Sequence, residues 1–254
     1  MLAIANLLSL DLNPLAREIR RALQSSVNSE VRVMSEPTLD DFRSGRAGIA
    51  LICGLAYAML RDEAPDRFMP VAAPLVEDDR VADMPVYFSE VVVPSSSRAL
   101  ELSGLSGSRF AYNESVSFSG FRALEHELAV RGLCWNFFAE RIRTGSHRES
   151  LKRLVAGEAD AAAIDSHVLL LEKGRDPSLS GKIRVVEALG PYPAPPIAVN
   201  RDACDVPVPE LYRLLERLPP KVLQATAVRG WVRVDDAYYS AIRSVVGDIT
   251  VGNE

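Results

Sequence analysis

Over the first fifty residues the apolar positions change period several times. Leu2 to Leu8 is a nearly unbroken apolar run, the pattern of a buried strand. Asn13-Pro14 suits a helix start, and Leu15, Ile19, Ala22 and Leu23 then recur at helical spacing. Val31 and Val33 alternate within a second strand, Glu30 to Met34. Thr38 to Phe42 reads as a short capped helix ended by Gly45, and Ala47 to Cys53 as a third strand. This alternation predicts α/β architecture, because parallel strands need crossover connections that helices usually supply.

The later pattern is more broken. Gly54-Leu55-Ala56-Tyr57 follows the third strand, where an α/β sheet presents its ligand-facing loop. Tyr57 is the candidate contact there, with packing of its ring on the sheet as the alternative. Phe68 to Ala73 is another apolar run, and Tyr87 to Val93 is a strand followed by the breakers Pro94 to Ser97, near which a crossing between domains is placed. A short helix or turn, Arg98 to Leu105, leads to a strand at Ser108 to Tyr112 and a helical pattern from Phe121 to Arg131. The segment Trp135 to Arg143 ends at Thr144-Gly145-Ser146-His147, ahead of an amphipathic helix bearing Leu151, Leu154 and Val155. A short strand, Ala161 to Ile164, is closed by Asp165-Ser166, with a helix through Leu171. Lys182 to Glu187 is a strand, Gly190 to Pro196 a rigid connector and second crossing, and Ile197 to Asn200 a strand. The remainder is read as mostly helical, Pro209 to Leu218, Pro219 to Ala227 and Asp235 to Val246, with Ile249 to Glu254 as a surface tail.

Two stretches carry candidate chemistry. In Asn113 to Gly120, Ser117 and Ser119 are good cap residues, Gly120 permits a tight turn, and a first helical turn has N–H groups without intrahelical acceptors. Such a place holds an anion, or is simply a serine-capped helix. Thr144 to His147 repeats the design, with His147 as a donor or titratable group. Asp165, at a strand's carboxyl end, is positioned either to meet a ligand or to cap the next helix. His147 with Asp165 is the one tempting acid–base pair, and no recognisable catalytic constellation accompanies it. No catalytic residue is assigned.

Composition narrows the classes further. The chain has 254 residues, 48% of them hydrophobic and 25% charged, enough for one full core or two small ones. Its net charge of -5 has both signs intermixed, which offers no basic field for a nucleic acid. Cys53, Cys134 and Cys204 have no metal-ligand spacing, nor have His126 and His167, so no metal and no cofactor is expected. The apolar start lacks a basic n-region, so no signal peptide is visible, and no segment approaches about 20 apolar residues, so no membrane insertion is expected.

Tyr87-Phe88-Ser89 before a run of valines, the loop Ser115 to Gly120, and Thr144 to His147 followed a helix later by Gly157 to Asp165 together resemble a known family. It is that of the phosphonate, phosphite and phosphate substrate-binding proteins of ABC transporters, in the periplasmic-binding-protein type II fold. The likeness extends to Pro195 to Asp202 and Gly230 to Tyr239. It implies two α/β lobes, each a mixed sheet flanked by helices, joined by two hinge crossings. Lobe 1 would be residues 1–91 and 193–254, and lobe 2 residues 92–192. It further implies a small anionic ligand in the cleft, closure about the hinge, an ABC permease as partner, and no enzymatic activity. By motif the ligand-binding residues are Ser117, Phe118, Ser119, Gly120 and His147, with Tyr57, Tyr87 and Asp165 following.

The sequence departs from that pattern at two places. Phe118 stands where the family commonly has threonine, removing a hydroxyl whose bond to a charged ligand is worth roughly 1.5–3 kcal/mol and leaving a ring able to stack on a flat or apolar ligand. Asn113-Glu114 replaces a more usual Asp-Pro and adds a negative charge near the loop. The resemblance implies a periplasmic protein if a leader has been removed, and otherwise a cytoplasmic one. The alternative function is a cytosolic sensor or enzyme on the same scaffold.

Overall fold

The computed structural model describes residues 1–251, with side chains through residue 247. The expected surface tail, Ile249 to Glu254, falls outside the residues whose side chains are described. In chain order the elements are β1 (Leu2–Asn6), α1 (Asn13–Gln24), β2 (Val31–Val33), α2 (Leu39–Arg43), β3 (Ile49–Leu51), α3 (Gly54–Glu63), β4 (Phe68–Val76) and β5 (Val86–Pro94). They continue with β6 (Arg109–Tyr112), α4 (Ala123–Val130), β7 (Glu140–Arg143), α5 (His147–Val155), β8 (Ala161–Asp165), α6 (Ser166–Arg175), α7 (Leu179–Lys182) and β9 (Ile183–Pro193). The last are β10 (Ile197–Asn200), α8 (Val208–Glu216), α9 (Pro220–Ala225), β11 (Val228–Val232) and α10 (Ser240–Val251).

The chain divides into two units, residues 1–86 with 193–242, and residues 87–192 with 243–254. The first division falls at 86/87, ahead of the expected 91/92, and Ser89 to Val92 of β5 pair with β8 in the second unit's sheet. In the first unit the strand order is β11-β4-β10-β3-β1-β2. Strands β1, β2 and β3 are parallel, as the strand–helix alternation predicts, while β10 runs antiparallel to β3 and β4.

The second unit has the order β7-β6-β8-β5-β9. Strand β6 runs parallel to β7 and β8, and β5 antiparallel to β8. Successive side chains of a strand point to opposite faces, and the two cores of this unit follow that rule. On one face Val91, Val93, Phe110, Ala161 and Ala163 pack with Leu124 and Leu128 of α4 and with Phe138. On the other Val92, Ala111, Ala162 and Ile164 pack with Leu151 and Leu154 of α5 and with Leu169 of α6. A sheet covered on both faces has continuous apolar strands, and every residue of β8 is buried.

Three sequence expectations change. Gly190 to Pro193 is the end of the long strand β9 rather than a connector. Val228–Val232, in the part read as mostly helical, is a strand that pairs antiparallel with β4. Trp135 to Arg143 resolves into a single 3-10 turn, Trp135–Phe137, and the short strand β7. Each is a place where neighbours distant in sequence decide the conformation.

Phe110 centres the α4 face. It is fully buried, with Phe138 at 4.4 Å and Trp135 at 6.0 Å between ring centroids. Phe110→Ala is expected to destabilise the protein by about 3–5 kcal/mol, read from urea unfolding by far-UV circular dichroism, through lost transfer energy and the cavity left behind.

Candidate functional site

Strand β6 ends at Tyr112, and the chain then crosses the end of the sheet through Asn113 to Ser117. Ser117 caps a single π-helical turn, Phe118–Arg122, with its Oγ accepting from the Gly120 N–H at 3.1 Å. The Arg122 N–H reaches back to the Ser117 carbonyl at 3.1 Å, the i to i+5 bond of such a turn. Widening the turn in this way leaves the N–H groups of Phe118 and Ser119 with no acceptor inside it. Helix α4 continues directly from the turn.

A second loop lies against the first. The Gly145 N–H donates to the Asn113 carbonyl at 3.0 Å and the Thr144 N–H to that of Tyr112 at 2.8 Å. Gly145 takes φ +83°, a left-handed conformation that glycine adopts without strain. Thr144 is consumed by structure, its Oγ1 lying 3.0 Å from the Tyr112 carbonyl and 2.7 Å from Ser150 Oγ. Ser146 caps α5 through the Glu149 N–H. That leaves His147, at the first position of α5, as the residue of this tetrad whose side chain turns to the other loop.

His147 Nε2 lies 3.4 Å from both Asn113 Nδ2 and Ser119 Oγ. Ser119 Oγ is in turn 3.4 Å from Asp165 Oδ2. Burial pushes the imidazole below the ordinary histidine value, while the Asp165 carboxylate and the Ala163 carbonyl oppose it. Among the described residues Nδ1 has no partner of proper hydrogen-bond geometry, so the Ala163 carbonyl acts on the ring as a dipole. Burial thus favours the uncharged ring. Asp165 performs the capping role weighed from sequence, its Oδ1 accepting from the N–H groups of His167 at 2.9 Å and Val168 at 3.2 Å.

The pleat of the sheet explains why Ser89 and Asp165 join this group. Tyr87 and Ser89 share the face of Val91 and Val93, and Asp165 that of Ala161 and Ala163, the face covered by α4. Ser89 is fully buried and its hydroxyl donates to the Ser119 carbonyl at 2.5 Å, tying β5 to the π turn. The sequence reading used Ser89 only within the Tyr87-Phe88-Ser89 motif and did not count it among the site residues, although its two-residue spacing from Tyr87 was a signal for it. Asn113 was noticed only as a departure from a family pattern.

The other candidates fall differently. Phe118 is fully buried, edge-on to Tyr192 at 4.8 Å, so the ring expected to stack on a ligand is turned into the interior, where an apolar ring is more stable. Its backbone still belongs to the turn. Tyr87 is buried at the start of β5. Tyr57 belongs to the first unit, buried on α3 with its ring against Tyr239 at 4.9 Å and its hydroxyl 3.3 Å from Asp236 Oδ1. That is the packing weighed as the alternative for Tyr57. Glu114 does not add a bare charge, because Arg143 Nη2 pairs with it at 3.2 Å. Arg122 and Arg148 are likewise engaged by Glu125 and Glu172. Among the described residues no cluster of His, Cys, Asp and Glu is placed to hold a metal, and no helix is long and apolar enough to cross a membrane.

Two α/β units with mixed sheets flanked by helices define the type II periplasmic-binding class. Residues 7–239 match the family described as ABC transporter, phosphonate, periplasmic substrate-binding protein, and the chain belongs to that family. It is similar to PhnD1 from Prochlorococcus marinus solved with methylphosphonate, at 16% identity and a TM-score of 0.82 over 98% of both chains. It is also similar to a binding protein component of an ABC phosphonate transporter from Pseudomonas aeruginosa, at 14% identity and a TM-score of 0.84 over 99% of this chain and 87% of that one. The alkanesulfonate-binding protein SsuA from Xanthomonas axonopodis pv. citri, solved with MOPS, gives 16% identity and a TM-score of 0.65 over 99% of this chain and 93% of that one. No curated protein matches the sequence.

A β-carbon on Gly120 would stand 1.8 Å from Asn113 Oδ1 and 3.0 Å from His147 Cε1. Gly120→Ala is therefore expected to drive the Asn113 amide off its seat and shift the His147 Cε1–H proton resonance. Global stability should change by no more than about 1 kcal/mol, because alanine also favours the helical backbone.

Proposed function

We propose that this protein captures a small phosphonate-like oxyanion and delivers it to an ABC permease. The observation that carries the reading is the convergence of Asn113, Ser119 and His147 on the first turn after Ser117, where N–H groups lack intrahelical acceptors. Family membership and the methylphosphonate in the Prochlorococcus relative support it. We assign direct contacts to the Ser117 and Ser119 hydroxyls and the Phe118 and Ser119 backbone N–H groups, with Gly120, whose N–H is held by Ser117 Oγ, and His147 shaping the turn around the ligand. Asp165 orients Ser119, while Tyr57 and Tyr87 serve as packing residues. The threonine hydroxyl that Phe118 replaces is offset in part by the Asn113 amide. We propose a periplasmic working place, as for the family.

The set Ser119, His147 and Asp165 contains the residue types of a nucleophilic triad, yet its order argues against catalysis. A triad needs the carboxylate on the ring nitrogen remote from the serine. Here Asp165 faces the serine itself and is occupied as a helix cap. Binding without turnover is the reading that this arrangement supports.

Isothermal titration with methylphosphonate, phosphite, phosphate and sulfate tests the proposal, and saturable binding of at least one is expected. The Ser117→Ala/Ser119→Ala variant should weaken that binding by roughly 2–4 kcal/mol, the scale of lost hydrogen bonds to charge. Unchanged affinity in the double variant would reduce the loop to a helix cap.

A further inference from the structure

Resting on the oxyanion reading above, we propose that Asn113 is a specificity-determining residue that makes this site require a ligand oxygen carrying its own proton. The argument is a count of donors and acceptors. Asn113 Nδ2 can only donate, and it faces His147 Nε2 at 3.4 Å, so that nitrogen serves as an acceptor. Its Oδ1 lies over Gly120, buried without a hydrogen-bond partner, where a β-carbon would come within 1.8 Å of it. Ser119 has one hydroxyl proton and two acceptors facing it, His147 Nε2 and Asp165 Oδ2, each at 3.4 Å. Either choice directs the proton inward and leaves a lone pair of Ser119 Oγ for whatever binds. These separations are at the long end for hydrogen bonds.

The charges around the group agree with this count. Asp165 is the charged group acting on the His147 ring. From the other elements packed nearby, Glu114 is joined to Arg143, Arg122 to Glu125, and Arg148 to Glu172, while Glu149 on α5 itself is joined to Lys152 and Arg153. Among the described residues, the arginines named here are thus paired to carboxylates rather than left to a doubly charged ligand. An oxyanion of single charge bearing one hydroxyl fits: its ionised oxygens take the N–H groups of the turn, and its hydroxyl donates to Ser119 Oγ. An aspartate at position 113 would instead hold a proton on His147 Nε2, and the site would then accept an oxyanion without a hydroxyl.

Methylphosphonate monoanion and methanesulfonate carry the same charge and nearly the same shape, and differ by that hydroxyl proton. Titration of both at mildly acidic pH should show methylphosphonate bound about ten to a hundredfold more tightly, the value of one well-made charge-assisted hydrogen bond. In Asn113→Asp the ratio should fall to within about threefold, whereas a merely structural fault would weaken both ligands alike and keep the ratio. Equal affinities in the parent protein, or an unchanged ratio in the variant while methylphosphonate still binds, would overturn the role of Asn113 and leave the oxyanion reading standing. No binding of either probe, nor of phosphite or phosphate, would overturn both.

Discussion

The candidate site rests on the missing β-carbon of Gly120. Only a glycine in the π turn lets the Asn113 amide lie against the turn's backbone, and only that seat turns Nδ2 toward His147. The two loops are then strapped by the bond from the Gly145 N–H to the Asn113 carbonyl, which brings α5 to the start of the turn. Ser89 fixes the turn from beneath through the Ser119 carbonyl. Four segments distant in sequence, β5, the loop after β6, the start of α5 and the end of β8, are thereby held in register, while the neighbouring Arg122, Arg143 and Arg148 are paired to carboxylates. Such a site relies on aimed dipoles, which suits binding and release of a small anion better than permanent retention.

Much of the fold was legible because its period is simple. The strand–helix alternation of residues 2–53 gave the parallel half of the first sheet, and each element there appears where the apolar spacing put it. Strand β11 was not legible, since Val228 to Val232 is short and carries Arg229 and Gly230, and its conformation comes from pairing with β4. The end of β9 was hidden by Gly190 and the two prolines, which normally mark connectors yet here occupy one end of a long strand.

The site was legible in part for a similar reason. Cap residues and glycines speak through local geometry, so Ser117, Gly120, Ser146 and His147 could be found from their own neighbours. What Asp165 would do stayed open, because its cap and its contact with Ser119 use different oxygens of one carboxylate. Ser89 depends on which face of β5 meets the π turn, and that requires the partner strands. The direction of the Phe118 ring depends on Tyr192, some seventy residues on, with which it packs edge to face.

The departures at Phe118 and Asn113-Glu114 read differently once their surroundings are known. Each taken alone weakens an anion site, through a lost hydroxyl and an added charge. In the fold the ring is withdrawn into the core, Arg143 covers Glu114, and the amide of Asn113 stands where a carboxylate would have faced the imidazole. An amide in that place exchanges a charge for a fixed donor. The net result is a group with one carboxylate, an imidazole whose charged form burial disfavours, and backbone dipoles, in which we propose that the placement of protons rather than gathered positive charge sets selectivity.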